Sequence, residues 1–202
     1  MGWKIELSFN WSGHDLRFHF DWFNGGYLVF SEGIKMKTLF KASKEQEKYA
    51  HKIATEQNAL YNYSGKRFES SRVGVLVETV LCDHYGEPRP EANGADEFDL
   101  KIGGLRFDVK TRSIEFFPRS MDNLIFTIEA RLLDKPAVDA YLFTLHHSRT
   151  GEIMVIGKML KSDVLRFGEF VPVGSVIKRG CKEWPAWFNQ YHVKKTEMEA
   201  LA

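Results

Sequence analysis

Apolar and polar residues alternate most strictly at the start of the chain. Trp3, Ile5, Leu7, Phe9 and Trp11, and then Leu16, Phe18, Phe20 and Trp22, occupy every second position on either side of Ser12-Gly13-His14-Asp15. That period predicts a β-hairpin with one strongly aromatic face. Past Asn24-Gly25-Gly26, residues 27–30 add a third strand, so residues 1–40 are expected to form an antiparallel meander. A face of nine large apolar groups does not stay wet. Its expected fate is to pack on the core, against the helix that follows.

The period then changes. Ser43 with Gln46 three residues on is a capping-box pattern, and Tyr49, Ile53, Gln57 and Leu60 recur at helical spacing, with Lys44, Lys48 and Lys52 along another side. Residues 71–85, SRVGVLVETVLCDHY, are apolar around nearly the whole circumference of a helix, which predicts burial against a sheet. Glu78 sits in the middle of it. A buried carboxylate is costly unless it is protonated, paired or metal-bound, and Gly74 and Cys82, one turn to either side, leave room for a ligand. The alternative is a Glu78 that reaches the exposed edge of the helix. Residues 87–95 read as a surface loop; residues 124–128, 140–146 and 153–156 as strands, the last two joined at Gly151; and Pro185 as the start of a final helix with Trp184, Trp187, Phe188 and Tyr191 in one stripe. The order predicts an α/β (α+β) protein. Its mixed central β-sheet is flanked by helices, with the meander of residues 1–40 packed on a domain of residues 41–202.

Composition narrows the class of protein. Its 202 residues suffice for one well-buried domain, and 44% hydrophobic with 27% charged residues is ordinary for a soluble one. No run approaches the ~20 apolar residues of a membrane span, and the first residues lack the organisation of a signal peptide, so a cytoplasmic protein with no membrane partner is expected. Cys82 and Cys181 are lone thiols outside any zinc pattern, and are expected to be reduced and structural. The net charge of +1 conceals segregation: residues 35–67 carry eight Lys/Arg against three Glu, and residues 78–99 seven Asp/Glu against one Arg. Such an arrangement suits a protein that binds a polyanion beside a metal, although solvated helix faces have the same composition.

The most informative stretch is EFDLKIGGLRFDVKTR, residues 97–112. Gly103-Gly104 is a favoured two-residue hairpin turn, and it fixes a register. Ile102 faces Leu105, Lys101 faces Arg106, Leu100 faces Phe107, Asp99 faces Asp108, Phe98 faces Val109 and Glu97 faces Lys110. Glu97, Asp99, Asp108 and Lys110 then share one side of the hairpin. Two carboxylates directly opposite repel, and a divalent cation between them would offset that repulsion.

These residues resemble the PD-(D/E)xK phosphodiesterase superfamily, the restriction-endonuclease-like nucleases. The likeness covers residues 72–160 and consists of the acidic helix around Glu78, Asp99 on the first hairpin strand, and Asp108-Val109-Lys110 as the (D/E)xK on the second. It implies a restriction-endonuclease-like fold and a Mg²⁺-dependent deoxyribonuclease, with Mn²⁺ able to substitute. Asp99, Asp108, the Val109 carbonyl and Glu78 would hold the metal, and Lys110 would be the catalytic lysine. The family's Pro-Asp is Phe98-Asp99 here, which leaves Glu97 and Asp96 as competitors for the first acidic role. Arg112 continues the same face and would clamp a phosphate oxygen, while Lys44, Lys48 and Lys52 are the expected distributed contacts to DNA. A homodimer is compatible with this reading.

Other classes have weaker support. A catalytically silent nuclease-like module that binds nucleic acid or protein is the main alternative, and retention of Asp99, Asp108 and Lys110 together speaks against it. Carboxylates about 5 Å apart also suit a retaining glycosidase, but the adjacent lysine does not. His146 and His147 face opposite ways on a strand and make a poor metal pair.

Overall fold

The structure, a computed structural model, describes residues 4–11, 14–23, 26–31, 34–62, 65–92, 97–116, 118, 120–179 and 182–199, with side chains from Leu39 onward except those of Lys66, Arg179 and Lys182. The alternating N-terminal residues form β1 (Lys4–Trp11), β2 (His14–Phe23) and β3 (Gly26–Ser31), followed by β4 (Ile34–Lys41), each antiparallel to the one before. Ile5 pairs with Phe20, Leu7 with Phe18 and Phe9 with Leu16, so the apolar positions lie opposite one another. The expectation that their aromatic face packs on the next helix concerns side chains outside the described residues.

α1 (Lys44–Tyr61) starts at the capping box: the Gln46 N–H donates to Ser43 Oγ at 3.2 Å and the Ser43 N–H to Gln46 Oε1 at 2.8 Å. It ends at Asn62, whose left-handed backbone (φ 50°) lets its N–H reach the Asn58 carbonyl. α2 (Gly65–Tyr85) contains the apolar stretch and extends it N-terminally through a polar segment. The hairpin is β5 (Leu100–Ile102) and β6 (Leu105–Ile114), in the expected register, with Gly103 and Gly104 at φ 57° and 87°. β7 (Ile125–Glu129) leads through a 3-10 turn, Ala130–Asp134, to β8 (Ala140–His147) and β9 (Glu152–Leu160). The remainder is α3 (Lys161–Phe167), β10 (Glu169–Val171), β11 (Val176–Arg179), β12 (Lys182–Pro185) and β13 (Gln190–Lys194).

Eight strands make one mixed sheet in the order β1-β2-β3-β4-β9-β8-β6-β5, in which only β6 and β8 run parallel. Its two faces carry different cores. Phe107 and Val109 of β6 and Leu142 of β8 pack against Val75, Leu76, Val80 and Leu81 of α2. Tyr141, Phe143 and Leu145, the alternate residues of β8, face the other way into a core with Phe126 and Ile128 of β7, Val164 of α3 and Val193 of β13. The architecture is therefore mixed α/β, with three α-helices among the described residues, and no described helix is long and apolar enough to cross a membrane.

The expected final helix is not formed. Trp184 and Pro185 belong to β12, paired with Ile177 and Val176, and Tyr191 lies in β13, between β10 and β7. The aromatic stripe spans barely two turns, too little to outweigh strand-forming residues whose partners lie in residues 169–179 and in β7. Trp187, which the stripe would have buried, is 78% exposed.

Candidate active site

Ladder pairing of β5 with β6 stops at Leu100 opposite Phe107. Beyond it the Asp99 N–H donates to the Phe107 carbonyl at 2.8 Å, and Asp99 Oδ2 accepts the Val109 N–H at 2.7 Å. The short edge strand leaves that N–H without a backbone partner, and the carboxylate substitutes for one. Three of the expected pairings are consequently absent: Asp99 with Asp108, Phe98 with Val109 and Glu97 with Lys110. Glu97 is exposed and outside the strand, not opposite Lys110, and Phe98 packs with the Tyr141 core instead of facing Val109. The backbone irregularity at Asp99 rotates the preceding residues out of register.

Asp108 is nearly closed off from water, its side chain 4% exposed. Two ammonium groups offset its charge: Lys110, in close ion-pair contact with Oδ1, and Lys135, 3.7 Å from Oδ2. Two lysines thus stand against the two carboxylates, but both ion pairs are made to Asp108. Lys110 also lies 6.0 Å from the centre of the Tyr141 ring, on the face of β6 turned away from α2. Burial, and then the neighbouring Asp108 carboxylate, raise the Asp99 carboxyl to about 6, against the opposing pull of the Val109 N–H, Lys110 and Lys135.

Asp99 also opens onto a cleft of about 470 Å³ whose walls include Gly74 and Glu78 of α2, Glu97 and Lys135. Glu78 is half-buried and lines the same cleft as Asp99, while Asp108 projects from the face of β6 that α2 does not cover. Glu78 and Asp99 thus share a cleft that Asp108, on the other face of the strand, does not line. Among the described residues no three His, Cys, Asp or Glu are grouped to hold a metal. Cys82 donates to the Asp99 carbonyl at 3.6 Å, and burial, followed by Glu78 and Asp99, pushes its thiol up to about 12, as suits an inert structural cysteine. Cys181 lies outside the described residues.

The expected nucleic-acid contacts are dispersed. Arg112 shares the Asp108 face but is half-buried and donates to the Ile125 carbonyl at 3.4 Å. Lys44, Lys48 and Lys52 are exposed on the side of α1 opposite buried Ala50, Ile53 and Ala54, and Lys52 pairs with Glu56 at 3.8 Å. That stripe faces away from α2 and from the cleft. Arg89 does line the cleft, but Asp83 and Glu45 engage its guanidinium, and that contact holds the Asp83 carboxyl low. His146 is buried and His147 half-buried, as their opposite facing predicts.

In chemical type, the site's oxygen donors suit a hard cation. Mg²⁺ binds through one or two carboxylates and completes its octahedron with water and substrate oxygens. Asp99 and Asp108 are two such groups. Val109, whose N–H points to the β5 edge, turns its carbonyl to the same edge. No family model matches the chain, and neither does a curated protein or a solved structure.

The folded chain holds the Asp99 proton more tightly than the unfolded chain, so the stabilisation from this neutral carboxyl is complete below pH about 4 and lost as the pH rises through about 6. Asp99→Asn keeps an oxygen for the Val109 N–H and removes the charge. In metal-free buffer at about pH 7.5 it is expected to raise the unfolding free energy by on the order of 2 kcal/mol. Urea titrations of parent and variant at several pH values measure this, and a variant less stable than the parent at neutral pH would contradict it.

Proposed function

We propose that the chain is a metal-dependent nuclease of the PD-(D/E)xK type with a restriction-endonuclease-like core, hydrolysing phosphodiester bonds in DNA. The observation that carries this reading is that Asp99, at the end of a short edge strand and lining a cleft with Glu78, accepts the Val109 N–H and so sits next to the ion-paired Asp108 and Lys110. The acidic helix α2 followed by the β5–β6 hairpin keeps the order of the pieces on which the resemblance rests, which supports the reading. Mg²⁺ or Mn²⁺ bound there would neutralise phosphate charge and acidify a water. Asp99 and Asp108 would hold the ion, with the Val109 carbonyl as a third oxygen. Lys110, fixed by its carboxylate partner before substrate arrives, would donate to the charge that develops on the phosphate. Glu78 would accept a hydrogen bond from water in the cleft. Exposed Lys44, Lys48 and Lys52 remain candidates for distributed phosphate contacts on longer DNA.

The pairing of Asp108 with Lys110 and Lys135 favours one second reading, a nuclease-like module that binds nucleic acid or protein without cleaving. The two separate on incubation with linear, circular, single-stranded and branched DNA in Mg²⁺, in Mn²⁺ and in chelator. Metal-dependent cleavage of any of these supports the enzyme. Binding without cleavage of any of them supports the module.

A further inference from the structure

Lys135 has no part in the sequence motif, yet it is the residue that joins the carboxylate pair to the cleft. Its ammonium lies 3.7 Å from Asp108 Oδ2, its side chain is 41% exposed, and the residue also lines the cleft with Glu78 and Asp99. Backbone contacts fix its position: its N–H donates to the Leu132 carbonyl at 3.3 Å, and its own carbonyl accepts Lys161 Nζ at 2.6 Å. The hydroxyl of buried Tyr141 holds the same turn through the Leu132 carbonyl at 3.1 Å. The turn is anchored and the ammonium is left to choose between a buried carboxylate and the open cleft.

We propose that Lys135 is an exchangeable counter-ion: it neutralises Asp108 in the metal-free protein and, once a divalent cation takes that carboxylate, turns to a phosphate oxygen of the substrate in the cleft. This rests on the reading of Asp99 and Asp108 as a metal site. An ammonium at 3.7 Å and a divalent cation compete for the same oxygen, and what each does to the other's binding is reciprocal. Lys110 differs in being less exposed and in close contact with the other oxygen, Oδ1, so it stays with Asp108.

The test is Mn²⁺ binding to the full-length protein without DNA, by calorimetric titration, for the parent, Lys135→Met and Lys135→Arg. Lys135→Met removes only the competing charge, because the anchoring contacts are backbone ones. It is expected to bind Mn²⁺ about fivefold more tightly, the worth of a partly exposed ion pair. In single-turnover cleavage it is expected to need about tenfold more DNA for half-saturation at a nearly unchanged limiting rate, and Lys135→Arg should restore both values toward the parent. Equal Mn²⁺ affinity in parent and Lys135→Met would overturn the exchange while leaving the metal site standing. A parent that binds no Mn²⁺ would overturn the metal reading and the exchange with it.

Discussion

Lys110→Met is expected to lower single-turnover DNA cleavage by on the order of a hundredfold, as loss of a preorganised charge donor does, while DNA affinity stays nearly intact. The ammonium is held against Asp108 Oδ1 and beside the Tyr141 ring, in place before substrate binds and with little freedom to contribute to initial binding. Lys135 still neutralises Asp108 in the variant, so the fold is expected to survive with a loss of about 1–3 kcal/mol, below that of a fully orphaned buried charge. Affinity should instead follow the exposed lysines of α1, so that a Lys44/Lys48/Lys52 triple Ala variant weakens binding and reduces its salt dependence. If Lys110→Met cleaves at the parental rate, the lysine is misassigned, and Lys101, exposed on β5, becomes the one to test.

Asp108→Asn is expected to have the largest effect of any single change: cleavage lower by on the order of a thousandfold, from loss of one of the two carboxylates proposed to hold the metal. The same substitution leaves Lys110 and Lys135 without their shared counter-charge. A stability loss of about 2–4 kcal/mol should accompany it, in contrast to the gain expected for Asp99→Asn. The opposite signs follow from the surroundings. One carboxylate is over-supplied with cations; the other is raised by burial and by its neighbour. Thermal unfolding of the two variants beside the parent, in metal-free buffer, reads that contrast.

Local chemistry makes much of this legible in the sequence alone. Ser43 and Gln46 announce the start of α1, and Gly103-Gly104 fixes the register of β5 against β6, because both signals act over three or four residues. What failed depended on distant partners. The Trp184-to-Tyr191 stripe matches a helix, but these residues pair with strands from residues 169–179 and from β7, which no local period reveals. Glu97 fell out of the predicted register because the Asp99 side chain, and not another backbone pair, closes the end of the ladder. Lys135 gave no signal at all. It follows a 3-10 turn in an unpatterned connection, and only the parallel pairing of β6 with β8 carries that connection to Asp108.

The claim that Asp99, Asp108 and Lys110 form a metal-dependent phosphodiesterase site is tested most directly by cleavage in Mn²⁺ against the same reaction in excess chelator, with parent and Asp108→Asn side by side. The predicted result is cleavage by the parent in Mn²⁺ alone, abolished by chelator and reduced by on the order of a thousandfold in the variant. Cleavage that persists in chelator, or an Asp108→Asn protein that cuts as the parent does, would contradict it.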